Sequence, residues 1–99
     1  MGEKLWEGIP LEAALESVGP GWSAIIRAVY TLLDEDSIVT TVKEKFGGLR
    51  IYLASEPEHI IALADLAEGV SLRTCEECGA PGKPGGKFWI KTTCKEHAL

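Results

Sequence analysis

The sequence predicts an α+β domain, with helices packed on a small antiparallel β-hairpin or sheet and a zinc-ribbon or treble-clef-like knuckle at the C-terminus. Three observations predict it. Apolar residues recur at helical spacing over residues 10–34 and 57–72. The period changes to two over residues 37–54, around Gly47-Gly48. All three cysteines fall in two short pairs near the C-terminus. A chain of 99 residues is the size of one domain. It reads as a single unit over 1–99, with residues 1–72 as the α/β core and 73–99 as a zinc-binding subregion.

Residues 10–18 read as a short helix. Pro10 suits a first helical position, and Leu11, Ala14, Leu15 and Val18 share one face. Gly19-Pro20-Gly21 stops it. A second helix is expected from Ser23 to Asp34, with Trp22, Ile25, Ile26, Val29, Leu32 and Leu33 as its apolar stripe. The acidic run Asp34-Glu35-Asp36 opposes the dipole at its C-terminal end and favours termination there.

The β-branched run Ile38–Val42 suits a pleated surface. Gly47-Gly48 is a two-residue hairpin signal, because primed turns need positive φ. A turn there sets Phe46 opposite Leu49, Glu44 opposite Ile51 and Val42 opposite Leu53. Glu44 is then an acid on an apolar face, which implies either a pairing with a cation such as Arg27 or Arg73 or a register shifted by a longer turn. The other face carries Lys43, Lys45, Arg50 and Tyr52. Residues 57–72 return to helical spacing, with Ile60, Leu63, Ala64, Ala67 and Val70 inward and an end expected near Gly69. Residues 79–87 are too rich in Gly and Pro for helix or strand. A strand is expected over Lys87–Thr92. Trp6, Trp22 and Trp89 read as core or core-edge residues, with Trp6 the best candidate for an exposed anchor.

The strongest chemical signal is the pair of knuckles Cys75-Glu76-Glu77-Cys78 and Cys94-Lys95-Glu96-His97. A C-x2-C or C-x2-H turn lets one tight loop supply two corners of a tetrahedron, and Gly79 fits such a turn. Cys75, Cys78, Cys94 and His97 are therefore the expected ligands of one structural Zn2+. Four protein ligands leave no open position for a catalytic water. His59, the other histidine, reads as an exposed surface residue.

The formal net charge is −5, with the acidic excess in residues 1–72 and a basic balance beyond Leu72. Such a chain is not an obvious general nucleic-acid binder, because phosphate neutralisation supplies most non-specific affinity. No apolar stretch is long enough to span a bilayer, and the N-terminal Met-Gly-Glu-Lys-Leu-Trp lacks the features of a signal peptide. No membrane association is expected, and the expected compartment is the reducing cytoplasm. There is no Walker loop, dinucleotide fingerprint or nucleophile elbow, and no second acid or base stands out as a partner for Glu44. The chain reads as non-catalytic.

Gly21-Trp22 with Ile25-Ile26, the block Val42-Lys-Glu-Lys-Phe-Gly-Gly-Leu-Arg-Ile-Tyr52, Ala67-Glu68 with Ser71, Cys-x2-Cys-Gly-x-Pro-Gly, and Trp89 before Thr-x-Cys-x2-His together resemble a family of small phage and prophage zinc-binding proteins. The likeness covers roughly residues 20–98, and its most specific part is the Lys-Glu-Lys-Phe-Gly-Gly-Leu-Arg block. It implies a genomic setting more than an activity. Phage accessory proteins of this size are often inhibitors or adaptors of one host protein, and some oppose host defence. The expected function is thus a zinc-stabilised protein-interaction module, phage-encoded and acting on a host protein in the host cytoplasm. The alternative is a nucleic-acid binder using the basic strand face Lys43, Lys45, Arg50 and Tyr52.

Overall fold

A computed structural model describes residues 8–34, 37–54 and 58–98. In chain order these form α1 (Leu11–Glu16), a 3-10 turn (Pro20–Trp22), α2 (Ser23–Leu32), β1 (Val39–Lys45), β2 (Gly48–Leu53), α3 (Glu58–Ser71), β3 (Lys83–Gly85), β4 (Lys91–Thr93) and a final 3-10 turn (Lys95–His97). The fold is α+β, with two separate two-stranded antiparallel sheets, β1–β2 and β3–β4. Trp6 lies outside the described residues.

One apolar core joins the helices to the first sheet. Trp22, Ile26 and Val29 meet Val39, Val42, Leu49 and Ile51 from the hairpin and Ala64 and Ala67 from α3. Val39 and Val42 are an odd number of residues apart, yet both are buried. A β-bulge between Val39 and Thr41 reconciles them, since one extra residue re-aims the strand by a face. Ser71, fully buried at the end of α3, receives the Leu49 N–H at 2.8 Å and donates to the Glu68 carbonyl at 2.6 Å. Both of its hydrogen-bonding capacities are used, so its burial carries no desolvation penalty left unmet.

The hairpin turn differs from the expected one. Lys45 pairs with Gly48, Glu44 with Leu49 and Val42 with Ile51, so the two loop residues are Phe46 and Gly47. Both have positive φ, 54° and 81° respectively, as a type I′ turn requires. Left-handed backbone costs a non-glycine residue about 1–2 kcal/mol. Glu44 explains part of the choice: its Oε2 accepts the Gly47 N–H at 2.7 Å, which closes the turn from within. It caps the turn and pairs with neither Arg27 nor Arg73.

Four further expectations are corrected. Val70 is exposed, because the buried face of α3 is set by Ile60, Ala64, Ala67 and Ser71, and α3 runs through Gly69 to Ser71. Part of the Gly/Pro-rich stretch forms a strand, since Lys83–Gly85 pairs by backbone alone with Lys91–Thr93. That second strand starts at Lys91, not Lys87. Trp89 is exposed and belongs to no core.

The C-terminal region is fastened to the core at two places. Trp22 is fully buried, and its Nε1–H donates to the Thr74 carbonyl at 2.9 Å, while the Gly21 N–H donates to the Glu76 carbonyl at 2.8 Å. A Cβ on Gly21 would collide with the backbone of Cys75, Glu76 and Gly79, so only glycine permits this approach. At the second place, the Thr92 hydroxyl donates to the Gly47 carbonyl at 2.6 Å, both groups being buried. The hairpin turn and β4 are thereby held in one piece.

Candidate metal centre

The first knuckle follows α3 directly. Cys75 N–H donates to the Ala80 carbonyl at 2.7 Å and Gly79 N–H to the Cys75 carbonyl at 2.9 Å, closing a tight loop around Cys75 and Cys78. Gly79 sits at φ 85°, where a side chain would be strained. The second knuckle leaves β4 at Cys94, and the 3-10 turn Lys95–His97 swings the imidazole back, with His97 N–H donating to the Cys94 carbonyl at 3.2 Å. Glu76 couples the two. Its N–H donates to the Thr92 carbonyl and its Oε2 accepts the Thr92 N–H, both at 3.0 Å.

These turns bring one ligand atom each from Cys75, Cys78, Cys94 and His97 within 4.8 Å of one another. Cys75 Sγ lies 3.7 Å from His97 Nδ1, Cys78 Sγ lies 3.7 Å from Cys94 Sγ, and Cys94 Sγ lies 3.2 Å from His97 Nδ1. A tetrahedral ion with metal–sulfur distances of about 2.3 Å has sulfur–sulfur edges of about 3.8 Å and slightly shorter sulfur–nitrogen edges. The set therefore fits a tetrahedral metal ion. It does not form a disulfide: all three cysteines are free, and 3.7 Å between Cys78 and Cys94 is far beyond a bond of about 2.0 Å.

The electrostatics divide the ligands: Cys75 and Cys94 are shifted towards the thiolate, while Cys78 and the His97 imidazole are both shifted upward. Burial disfavours the Cys75 thiolate, but backbone N–H donors of Cys94, Cys78 and Glu77 outweigh it and bring the pKa down to about 6. The His97 ring beside Cys94 lowers that thiol as well. At Cys78 an Ala80 N–H donor pulls downward, yet desolvation and the neighbouring thiols Cys94 and Cys75 leave its pKa raised. Thiolates this close repel one another, and a cation among them removes the conflict. Of the ligands, Cys75 is fully buried, Cys94 half-buried, and Cys78 and His97 exposed, so the site sits at the surface with its deepest ligand against Gly21.

The rest of the expected chemistry is distributed differently. His59 is exposed, 3.5 Å from an Asp34 carboxylate, and takes no part in the cluster. Lys43, Lys45, Arg50 and Tyr52 share the strand face that the register assigns them, but they are not equivalent. Arg50 Nε lies 3.3 Å from Glu68 Oε2, an ion pair without hydrogen-bond geometry, which leaves that N–H buried and unsatisfied. Lys43 Nζ stands 5.5 Å over the Tyr52 ring and Lys45 Nζ 5.7 Å over the Phe46 ring. Sequence reasoning missed Phe46, Phe88 and Trp89 as a group. All three are exposed, and with Glu44, Lys45 and Ile90 they line one cleft of about 340 Å³. A Phe-Trp pair inside a Gly/Pro-rich loop was the available signal.

No helix among the described residues is long and apolar enough to cross a membrane. Comparison with family models, with characterised proteins and with solved structures finds no match for this chain.

Proposed function

We propose that the chain is a non-catalytic binding module whose fold is completed by a structural zinc ion on Cys75, Cys78, Cys94 and His97, and that it acts by docking a host protein. The observation that carries this reading is the closed ligand set: three sulfurs and one imidazole nitrogen supply all four corners of a tetrahedron. Zinc prefers that donor set, and a filled tetrahedron has no position for a reacting water. The two carboxylates between Cys75 and Cys78 have structural partners. Glu76 is spent on Thr92, and Glu77 on Lys91 at 2.8 Å.

A protein partner is favoured by a groove of about 360 Å³ between α2 and α3, lined almost wholly by apolar side chains. Leu32, Leu66 and Val70 are exposed on its walls, a combination that marks docking surfaces more often than bare solvent-facing helices. The likeness to small phage proteins supports a phage-encoded modulator of a host system. The test is affinity capture from host lysate with the zinc-loaded wild-type chain and its Leu66→Glu variant as matched baits. A protein retained by the first and lost from the second is expected. Identical captures from both baits would refute docking at this groove.

A further inference from the structure

Phe88 is 99% exposed, Trp89 69% and Phe46 66%. Three large aromatic rings in water gain nothing for folding, and Phe46 in addition occupies left-handed backbone at the hairpin turn. A residue that is both strained and exposed points to use at a surface. The two segments that carry the rings are joined. The Thr92 hydroxyl, two residues beyond the 86–90 loop, holds the Gly47 carbonyl, and the hairpin and that loop face each other across one cleft.

Cations are interleaved with these rings. Lys45 lines the cleft, Lys87 precedes Phe88, and Lys43 extends the surface along β1 to Tyr52, which is also exposed. Two nearby acids are paired with cations, Glu68 with Arg50 and Glu77 with Lys91; Glu44, which accepts the neutral Gly47 N–H, keeps its charge at the cleft and stands against three lysines. Among the described residues no ion pair engages Lys43, Lys45 or Lys87. The local surface is thus positive and aromatic, although the chain as a whole is acidic.

We infer that this tip binds single-stranded nucleic acid, with bases stacking on Phe46, Phe88 and Trp89 and phosphates lying against Lys43, Lys45 and Lys87. An apolar protein epitope would meet unpaired lysines beside the rings, whereas an unpaired strand offers both flat apolar bases and anions. A duplex hides its base faces and offers only phosphates to such a surface. The inference rests on the zinc-completed fold proposed above, because β4 leads directly into Cys94 and carries the residue that holds the turn.

The experiment titrates the zinc-loaded 99-residue chain, with metal content and circular dichroism verified on the same sample, into a fluorescein-labelled oligothymidylate at low salt. Saturable binding is expected, with a log–log salt slope of about −2 from three lysines on a single strand. Trp89→Ala should weaken binding about tenfold or more, the loss of one stacking platform. Phe46→Asn should weaken it similarly while raising the melting temperature, since asparagine before Gly47 is a preferred pair for this turn. That opposition of stability and affinity is not what a structural role would give. Leu66→Glu, on the α2–α3 groove, should bind like wild type, so a failure at one surface is separable from a failure at the other. Absence of binding by folded, zinc-loaded protein overturns the inference. So does unchanged affinity in Trp89→Ala and Phe46→Asn, equal competition by duplex, or a Trp89 response to phosphatidylserine vesicles without one to the oligonucleotide.

Discussion

Replacing Cys75 with serine is expected to reduce bound zinc from about one equivalent to well under half, and to remove the ordered structure of the C-terminal region. Cys75 is the only fully buried ligand and the one against which Gly21 packs, so its sulfur is both a ligand and a wall of the core. Structural zinc in small knuckles contributes about 10–16 kcal/mol at neutral pH, comparable to the whole stability of a domain, about 5–15 kcal/mol. Elemental analysis and thermal unfolding of the purified variant measure both consequences. The pH dependence has a definite sign. A thiol whose folded pKa is depressed adds stability above its unfolded pKa and loses it as pH falls through the folded value. Cys75 is held at about 6 by hydrogen bonds, and a bound cation lowers it further. Zinc should therefore be retained at pH 7 and released on acidification, as protons compete for the thiolates and the imidazole. Release beginning near pH 8, or a variant with wild-type metal content, would contradict this.

Trp22→Ala is expected to be the most damaging substitution away from the metal. The ring is fully buried among Ile26, Val29 and the hairpin residues, and a large-to-small change of this kind costs about 3–5 kcal/mol. The Thr74 carbonyl also loses its Nε1–H donor at the entrance to the first knuckle. Trp22→Phe keeps most of the volume and removes the donor, so it should cost about 1 kcal/mol and separate packing from hydrogen bonding. Denaturant midpoints read both. A loss below about 1 kcal/mol for the alanine variant would mean that the two regions are not joined through this residue.

Much of the architecture was legible because it is written in local periodicity. The helices near residues 11–16, 23–32 and 58–71 follow from apolar spacing, and the four ligands follow from two knuckles whose x2 spacing is a property of tight turns. What was not legible depends on contacts between distant residues. Two adjacent glycines are the favoured sequence for a primed turn, yet the turn is Phe46-Gly47. Register is set by the buried face of Val42, Leu49 and Ile51 and by Glu44 reaching the Gly47 N–H. The strand Lys83–Gly85 carries no side-chain signature, because only its backbone pairs. Tryptophan is apolar enough to be assigned inward by default, and nothing near Trp89 in sequence reveals that its loop projects from the tip.

The central claim is that a metal ion orders the region from Cys75 to His97. The direct measurement is a two-dimensional amide NMR spectrum of the full chain before and after exhaustive chelation. A metal-completed fold predicts that resonances of this region collapse to random-coil positions on chelation and return when one equivalent of zinc is restored. Retention of their native dispersion in metal-free protein would contradict it.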